Sequence, residues 1–371
     1  MYVGIPTETK NNEFRVAITP SGVAELTRRG HEVLIQAGAG EGSAIADGDF
    51  KAAGAQVVAT AEEVWAQGDL VLKVKEPMPI EYTRMRREQT LFTYLHLAAS
   101  RACTDALLAS ATTSIAYETV QTADGALPLL APMSEVAGRL SAQVGAYHLM
   151  RTHGGRGVLM GGVPGVEPAN VVVVGGGTAG YNAARVADGM GATVTVLDVN
   201  LNRLRDLDTV FGGRVQTRYS TTLELEEAVK HADLVIGAVL LPGAKAPKLV
   251  SNSLVAQMKP GAVLVDIAID QGGCFEDSRP TTHDDPTFAV HDTLFYCVAN
   301  MPASVPKTST FALTNATMPY VIELADHGWQ AACQSNPALG KGLSTHDGAL
   351  LCQRVAADLA LPFTDPAVVL T

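Results

Sequence analysis

The sequence is poor in cysteine and has no excess of basic residues. Its five cysteines are scattered and form no Cys-x-x-Cys pair, which argues against a disulfide framework or a zinc site and fits a reducing cytoplasm. Lys and Arg number 27 against 38 Asp and Glu. Because this acidic balance repels phosphate backbones, nucleic acid is not expected as a partner.

Long apolar runs are also missing. Even the stretch from Ala262 to Ile269, which Asp266 interrupts, is far shorter than the roughly 20 residues that a membrane span requires. The first residues, MYVGIPTETKNNEFR, lack the apolar core of a signal peptide. We therefore expect a cytoplasmic protein with no membrane contact, and the length of 371 residues favours two globular domains.

Short β-branched runs do occur, and they alternate with stretches of helical period in a way that is typical of parallel α/β sheets. The first series comprises Val3–Pro6, Glu32–Gln36, Leu70–Val74, Thr90–Leu95 and Ser114–Tyr117. The second comprises Val171–Val174, Thr193–Leu197, Arg214–Thr217, Leu234–Ile236, Ala262–Asp266 and Leu294–Val298. The sequence therefore predicts an α/β protein with two doubly wound, Rossmann-like parallel sheets.

A glycine motif opens the second series. Val171–Val174 is followed by Gly175, Gly177 and Gly180 in the spacing G-x-G-x-x-G. This arrangement is typical of a strand, a tight turn and a helix whose N-terminus binds a pyrophosphate. The next strand ends at Asp198, whose carboxylate can bind the ribose hydroxyls of NAD and would repel the 2′-phosphate of NADP. The pattern predicts an NAD site. The simpler alternative is that the glycines form an ordinary α/β turn and that Asp198 is only a solvated acid.

Two segments of the sequence suggest how the domains are connected. The stretch Pro132-Met133-Ser134-Glu135 predicts a helix start with Ser134 as N-cap. After the last strand, a helical pattern over Thr308–His327 has no strand-rich region of its own to join. We therefore predict an NAD-binding domain, residues 129–306, inserted into a substrate domain formed by residues 1–128 and 307–371.

Residues that could carry chemistry follow the predicted strands, and ligands of open α/β sheets bind beyond the carboxyl ends of strands. In the first domain these residues are Arg15, Lys75, His96 and Glu118; in the second they are Ser220, Val239, Asp270 and Asn300. A guanidinium can clamp a small carboxylate, an ammonium can polarise a carbonyl, and an imidazole can move protons. Taken singly, each has a structural explanation as a surface charge, a strand end or a turn residue.

Several segments resemble the bacterial alanine dehydrogenases. They are MYVGIPTETKNNEFRVAITP, EVLIQAGAGEGS, LVLKVKEP, LFTYLHLAAS, LAPMSEVAGRLSAQVGA and VLVDIAIDQGGCFE, and they span almost the whole chain. The resemblance implies two Rossmann-like domains per subunit in a homohexamer. It also implies NAD-dependent, reversible oxidative deamination of L-alanine to pyruvate and ammonia, with glyoxylate and glycine as a further pair.

The resemblance also implies roles for particular residues. Arg15 and Lys75 match substrate-binding positions, and His96 and Asp270 match the acid/base pair. Arg203 stands where a basic residue is common in the family. The positions where the family contacts the dinucleotide, together with the glycine motif and Asn300, are Ser134, Gly175, Gly177, Thr178, Gly180, Asp198, Arg203, Ser220, Val239, Leu240, Ile267, Asp270, Arg279, Val298, Asn300 and Met301.

Two other functions share parts of this pattern. The N-terminal motifs also occur in the NAD-binding, hydride-transferring subunit of proton-translocating transhydrogenase, which needs no amino-acid site; Lys75 and His96 favour the dehydrogenase. A relative that oxidises a different amino acid, as in the saccharopine and lysine dehydrogenase group, would differ in pocket volume, which sequence does not give.

A metal site is a separate hypothesis. Glu323 and His327 are four residues apart in the predicted helix Thr308–His327, so they project from one face. A carboxylate and an imidazole at this spacing could share a structural Mg²⁺ with water completing the shell. The alternative is a simple hydrogen bond near the end of a helix.

Overall fold

The computed structural model describes residues 1–239 and 246–371. Over these residues the strands, in chain order, are β1 (Tyr2–Ile5), β2 (Glu32–Gln36), β3 (Gln56–Val58), β4 (Leu70–Leu72), β5 (Thr90–Thr93), β6 (Thr113–Ala116), β7 (Asn170–Val174), β8 (Thr193–Asp198), β9 (Val215–Tyr219), β10 (Leu234–Gly237), β11 (Val263–Asp266), β12 (Thr287–Val290), β13 (Thr293–Tyr296), β14 (Leu343–His346) and β15 (Ala349–Leu350).

The α-helices of the same residues are α1 (Pro20–Arg28), α2 (Asp47–Ala52), α3 (Ala61–Gln67), α4 (Arg101–Ser110), α5 (Ala131–His148), α6 (Thr178–Gly189), α7 (Leu201–Phe211), α8 (Thr222–Lys230), α9 (Asn252–Val255), α10 (Pro306–Ser335), α11 (Pro337–Gly340) and α12 (Gln353–Leu359). Helix α10 is interrupted at Gly328, whose φ of 75° and ψ of 161° are not helical. The described residues divide into two compact units: unit 1 is 1–133 with 303–371, and unit 2 is 134–239 with 246–302.

Local sequence explains where several helices begin. Thr19 caps α1, which has Pro20 in its first turn. At α3, Thr60 and Glu63 form a reciprocal capping box. The Asn200 side chain accepts hydrogen bonds from two backbone N–H groups at the start of α7. These side chains bind N–H groups that have no partner inside the helix, so each start is encoded within a few residues.

Unit 1 has a sheet with the strand order β15-β14-β6-β5-β4-β1-β2-β3. The pairings from β6 to β3 are parallel, so the carboxyl ends of these strands lie at one edge of the sheet. The C-terminal pair β14 and β15 is antiparallel, and β14 joins the sheet antiparallel to β6. Trp65, Leu91 and Leu107 belong to the buried core on one side of this sheet.

Unit 2 has a second sheet with the order β12-β13-β11-β10-β7-β8-β9. Its interior strand β7 is buried on both faces. Successive side chains of a strand point to opposite sides, and both sets are packed here. Val171 and Val173 pack in a core with residues of α6 and α7. Val172 and Val174 pack on the other side in a core with residues of α8 and α9. Such burial on both faces explains the unbroken run of valines.

The predicted fold class, α/β with two parallel-dominated sheets, is confirmed, and each of the predicted strands is present with ends shifted by a few residues. The prediction of Ser134 as an N-cap is wrong. Helix α5 already begins at Ala131, so Ser134 lies within its first turn and Pro132 occupies an early helical position, where proline is tolerated. Within residues 1–239 and 246–371, no helix combines the length and apolar character needed to cross a membrane.

The short strands β3, β12, β14 and β15 were not predicted from the sequence. Three of them lie at the ends of the two sheets, and β14 pairs antiparallel beside β15. Strand β12 is only partly buried, so its sequence lacks a continuous apolar run. Edge strands need not be apolar on both faces, which is why hydrophobic pattern alone missed them.

Candidate active site

The predicted residues of unit 1 lie in loops at one edge of its sheet. Arg15, Lys75, His96 and Glu118 follow β1, β4, β5 and β6 respectively, and these four strands are parallel neighbours. Arg15 and Lys75 are buried, with 2% and 5% of their surface exposed, whereas His96 is half-buried. The parallel topology thus brings a guanidinium, an ammonium and an imidazole to the same edge, as the strand pattern predicted.

Arg15 is held by a carboxylate of its own loop. Glu13 accepts hydrogen bonds from Arg15 Nε at 2.6 Å and from Arg15 Nη2 at 2.5 Å, and both side chains are buried. Arg15 Nη1 lies 2.9 Å from the thioether sulfur of Met133. This two-point pairing fixes the plane of the guanidinium.

Lys75 lies beside an aromatic ring and an acid. Its Nζ is 5.9 Å from the centroid of the Tyr94 ring, within the range of a cation–π contact. Thr93 Oγ1 donates to the Lys75 carbonyl at 2.9 Å and so ties the backbone of this residue to β5. Burial acts to raise the pKa of the neighbouring Glu76 carboxyl, but the positive charges of Lys75 and Lys10 outweigh it and hold that pKa below its ordinary value.

His96 has a left-handed backbone, with φ 47° and ψ 41°, which costs a non-glycine residue about 1 kcal/mol. The Glu118 carboxylate accepts hydrogen bonds from the N–H groups of His96, at 2.6 Å, and of Leu95, at 3.2 Å. The imidazole stacks on the Tyr94 ring with centroids 5.9 Å apart and planes 7° apart. Tyr94 is fixed in turn by its hydroxyl, which donates to the Leu129 carbonyl. The sheet therefore presents an imidazole with both backbone and ring constrained.

A buried ion network lies next to these loops. Lys73 Nζ is 3.0 Å from Glu8 Oε2 and 3.1 Å from Glu81 Oε1, and all three side chains are almost wholly buried. Glu8 also accepts from the Val74 N–H at 2.6 Å. Burial raises the pKa of the Glu8 carboxyl, and the charge of Lys73 opposes that rise. The network joins the loop after β1 to the end of β4, immediately before Lys75.

In unit 2 the glycine motif has the geometry of a phosphate-binding turn. Gly175 has a φ of 98°, which L-residues rarely adopt. A Cβ on Gly180 would lie 1.8 Å from the Gly175 carbonyl oxygen, whereas a Cβ on Gly177 would meet nothing within 4 Å. The N-cap residue of α6, Gly177, makes no side-chain cap. The space beside Gly177 and the uncapped N-terminus of a twelve-residue helix fit the pyrophosphate of NAD.

Asp198 stands at the end of β8, next to this turn. Its Oδ2 accepts from the Gly176 N–H at 2.7 Å, and its Oδ1 accepts from the Asn200 N–H at 2.8 Å. Arg203 Nε donates to the Gly176 carbonyl at 2.5 Å, and its guanidinium lies 5.7 Å from the Tyr181 ring. Asp198 and Arg203 thus flank the turn, and a carboxylate at this strand end suits ribose hydroxyls.

The loop after β11 is held by a buried carboxylate, Asp266. It accepts from the N–H groups of Ala268 and Cys274 and from the Ser278 hydroxyl. On the other side, Lys248 Nζ donates to the carbonyls of Gly272 and Phe275. This loop carries Asp270, whose Oδ1 accepts from the Asn300 N–H at 3.1 Å. Asp270 and Asn300 are therefore in contact within unit 2, because they follow the paired parallel strands β11 and β13.

The other predicted cofactor residues are distributed over unit 2. Thr178 is the first residue of α6, Ser220 follows β9, and Val239 lies two residues after the end of β10. Ile267 opens the loop that carries Asp270, and the Arg279 guanidinium lies 4.2 Å from the Phe288 ring. Val298 and Met301 are buried beyond β13. Leu240 lies outside the described residues.

The proposed metal pair is not supported. Glu323 Oε2 accepts a hydrogen bond from Asn336 Nδ2 at 2.8 Å, so this carboxylate already binds a residue beyond the break in α10. Over the described ranges, no group of three or more His, Cys, Asp or Glu side chains could hold a metal ion. Mg²⁺ binding by Glu323 and His327 was inferred from spacing alone, and we assign no metal to them.

Three residues at these sites were missed by the sequence analysis. Glu13 is two residues from Arg15, and this i,i+2 pair of opposite charges in a loop was an available signal. Asp266 ends a buried apolar strand just as Asp198 does, and the same reasoning would have found it. Tyr94 had no comparable signal, because its place between Lys75 and His96 depends on the packing of the whole edge.

Comparisons with known proteins identify the family of the chain. Residues 4–137 match the family model "Alanine dehydrogenase/PNT, N-terminal domain", and residues 141–353 match "Alanine dehydrogenase/PNT, C-terminal domain". The chain is 83% identical to the alanine dehydrogenase of Mycobacterium tuberculosis over 370 residues, which cover 100% of both sequences.

Solved structures give the same result. A structure of L-alanine dehydrogenase superposes with a TM-score of 0.93 at 51% identity, covering 97% of this chain and 99% of the other. A transhydrogenase from Sinorhizobium meliloti superposes with a TM-score of 0.79 at 24% identity, covering 95% and 99%; at that identity it supports the fold alone. The resemblance inferred from the motifs is confirmed: the chain is an oxidoreductase and belongs to the alanine dehydrogenase/PNT family.

Proposed function

We propose a residue-level scheme for the reaction of this chain, the NAD-dependent interconversion of L-alanine with pyruvate and ammonia. In this scheme unit 1 binds the amino acid and unit 2 binds the dinucleotide. The observation that carries the assignment of unit 1 is the meeting of Arg15, Lys75 and His96 at one sheet edge. These groups match the needs of a small substrate that has a carboxylate and a carbonyl or amine.

Arg15 and Lys75 bind the substrate. The Arg15 guanidinium, oriented by Glu13, receives the carboxylate of alanine or pyruvate. Lys75 places its ammonium against the carbonyl oxygen of pyruvate and polarises it for attack by ammonia. Both side chains are buried, so their charges are screened less by water than surface charges and bind an anionic substrate more strongly.

His96 and Asp270 handle the protons. In the oxidative direction the ammonium of alanine first gives one proton to His96, which passes it to solvent, and the Cα–H bond then breaks as a hydride to leave protonated iminopyruvate. Water attacks the imine carbon and gives a proton to His96. His96 returns this proton to the amino group, and ammonia leaves as the carbinol O–H proton is lost. Asp270, which the resemblance pairs with His96, is the second acid/base group of the scheme. In the reductive direction the same groups act in reverse order.

NAD fits the residues of unit 2, and when bound it accepts the hydride from Cα. Gly175, Gly177, Thr178 and Gly180 cradle the pyrophosphate, and Asp198 binds the ribose hydroxyls and disfavours the 2′-phosphate of NADP. The other residues proposed to contact the dinucleotide are Ser134, Arg203, Ser220, Val239, Leu240, Ile267, Asp270, Arg279, Val298, Asn300 and Met301. The reaction requires the reacting carbons to come within about 3–3.5 Å of each other.

The resemblance to alanine dehydrogenases also supports a homohexamer, a cytoplasmic location and acceptance of glyoxylate, which lacks one methyl group of pyruvate. We propose these as expectations for the assembly and substrate range. Size-exclusion chromatography with light scattering tests the hexamer. Initial rates of NADH consumption with ammonia and either pyruvate or glyoxylate test the substrate range.

The central experiment measures NADH formation by the purified protein with NAD and a panel of L-amino acids, with D-alanine as the matched control. We expect turnover with L-alanine that exceeds turnover with L-lysine and D-alanine by at least a hundredfold. Preferred oxidation of L-lysine would instead favour an enzyme for a larger amino acid. Tight NADH binding without oxidation of any amino acid would favour a hydride-transfer module.

A further inference from the structure

Glu118 lies beside His96 because of the sheet register. Strands β5 and β6 are parallel, and Thr93 pairs with Ala116. Leu95 and His96 lie two and three residues after Thr93, and Glu118 lies two residues after Ala116. Glu118 lies in the short 3₁₀ turn Tyr117–Thr119 that directly follows β6. The register therefore places a carboxylate against the backbone of the residue proposed to move protons.

The carboxylate binds both N–H groups at that point. Glu118 Oε1 is 2.6 Å from the His96 nitrogen, and each carboxylate oxygen is 3.2 Å from the Leu95 nitrogen. The side chain of Glu118 is only 13% exposed, and its Oε1 is 4.0 Å from His96 Nδ1. Two successive N–H groups that converge on one anion form a concave backbone site, and here the protein itself supplies the anion.

This contact explains how His96 keeps a rare backbone conformation. A residue other than glycine in the left-handed region persists only when its surroundings hold it there. Here the Glu118 carboxylate binds the N–H group of His96, and the Ala99 N–H donates to the His96 carbonyl at 2.9 Å. If φ and ψ of His96 relaxed to the right-handed or extended region, its Cα–Cβ bond would point elsewhere and the stacking on Tyr94 would be lost.

We propose that Glu118 is a positioning residue that fixes the imidazole of His96 through the backbone. It touches neither the substrate nor the dinucleotide in this proposal, and its effect on turnover passes through His96. The inference rests on the proposed role of His96 in proton transfer. Because a displacement of about 1 Å can cost a hundredfold in rate, loss of the Glu118 contact should lower kcat far more than it changes the binding of NADH.

The test is a double-mutant cycle on the full-length protein. Glu118→Gln keeps the shape of the side chain but presents an amide to two N–H donors; His96→Ala removes the imidazole. The two single variants and the double variant are compared for kcat, for KM of pyruvate and for the Kd of NADH from its fluorescence. Glu63→Gln is the matched control, because the Glu63 carboxylate also accepts a backbone N–H, that of Thr60, at the start of α3.

We expect Glu118→Gln to lose at least about tenfold in kcat, with the Kd of NADH within threefold of wild type and Glu63→Gln unchanged. In the His96→Ala background, adding Glu118→Gln should change the residual kcat less than threefold, because nothing remains to be positioned. Wild-type kcat in Glu118→Gln would overturn the proposal, as would an equal loss in both backgrounds. If Glu118→Gln does not fold, Glu118→Asp, whose carboxylate is one methylene shorter, is judged by the same criteria.

The cycle also separates this inference from the proposed function. A His96→Ala variant with wild-type kcat would remove His96 from the reaction and would overturn the proton-transfer role whatever Glu118 does. An inactive His96→Ala variant together with a fully active Glu118→Gln variant would leave that role in place and reject only the positioning role of Glu118.

Discussion

Glu13 takes one edge of the Arg15 guanidinium: Oε1 is 2.6 Å from Nε and Oε2 is 2.5 Å from Nη2. Both side chains are buried, so the pair is kept from water, and breaking such a pair typically costs about 3–5 kcal/mol. In the proposed scheme, the substrate carboxylate therefore meets a guanidinium that is already oriented. This arrangement depends on the planar fork of arginine, which lysine cannot reproduce.

The first prediction concerns this fork. Arg15→Lys keeps the positive charge but cannot bind Glu13 and the substrate carboxylate at two points each. We expect KM for alanine and for pyruvate to rise about tenfold or more, equivalent to about 1.4 kcal/mol, with little change in the Kd of NADH. Arg28→Lys, at an exposed position, is the control in steady-state assays. An unchanged KM for both substrates would place Arg15 outside the substrate site.

The second prediction concerns proton transfer. His96→Ala and Asp270→Asn should each lower kcat by about a hundredfold or more, the usual scale for positioned acid/base groups. Asp270→Asn retains an oxygen that can accept from the Asn300 N–H, so its effect reports loss of charge rather than loss of this hydrogen bond. Pre-steady-state and steady-state rates test both variants, with far-UV circular dichroism as the folding control. Near-normal turnover in both would exclude them from the reaction.

The third prediction concerns cofactor choice. Asp198→Ala removes an acceptor for ribose hydroxyls and a negative charge that opposes a 2′-phosphate, so the ratio of kcat/KM for NADP to that for NAD should rise. The same change frees the Gly176 and Asn200 N–H groups. Asp198→Asn is the companion variant, because its amide oxygen can still accept one of these bonds. Equal use of NAD and NADP by the wild type would show that Asp198 does not select the cofactor.

The fourth prediction concerns pH and the loop that carries Asp270. Burial raises the pKa of the Asp266 carboxyl, although hydrogen bonds from Ser278 and from backbone N–H groups oppose the rise. A carboxyl whose pKa is higher in the folded protein than its unfolded value of about 3.9 binds its proton more readily when folded. Its contribution to stability is therefore present at low pH and is lost as the pH rises through the folded pKa.

Urea unfolding of wild type and Asp266→Asn tests this sign at about pH 4, near the unfolded pKa, and at about pH 8. The free energy of unfolding of the wild type, taken relative to the variant, should be larger at the lower pH. Asp206→Asn is a control at an exposed position in α7 of unit 2. A difference between wild type and Asp266→Asn that stays constant or shrinks at the lower pH would contradict the assigned direction.

Most of the architecture was predictable because it is encoded locally. Four successive valines before the glycine motif indicated a strand buried on both faces, and β7 is that strand. Strand ends then indicated where Arg15, Lys75 and His96 emerge, because parallel strands share one carboxyl edge. The start of α5 was misplaced by four residues, at Glu135 instead of Ala131, since both Ser134 and Pro132 are acceptable near a helix start.

The Glu323 and His327 pair shows where spacing is insufficient. An i,i+4 relation places two side chains on one face of a helix, but it does not say what else that face meets. Here the chain turns after the break at Gly328, and Asn336 donates to Glu323. Residues 13 positions apart are brought together by the turn, and periodicity within the helix carries no information about this contact.

The sequence by itself determined the two parallel sheets, the glycine turn and the strand ends from which the candidate residues emerge, because periodicity, capping and glycine placement act over a few residues. Only the tertiary structure decided which groups hold the candidate residues and their loops in place. Glu118 binds the His96 backbone from the end of a neighbouring strand, and Asp266 binds Ser278 across a loop. Strand β14 pairs with β6 across more than 200 residues. Such contacts depend on strand order and register, which are set by burying whole sheets, so no local pattern contains them.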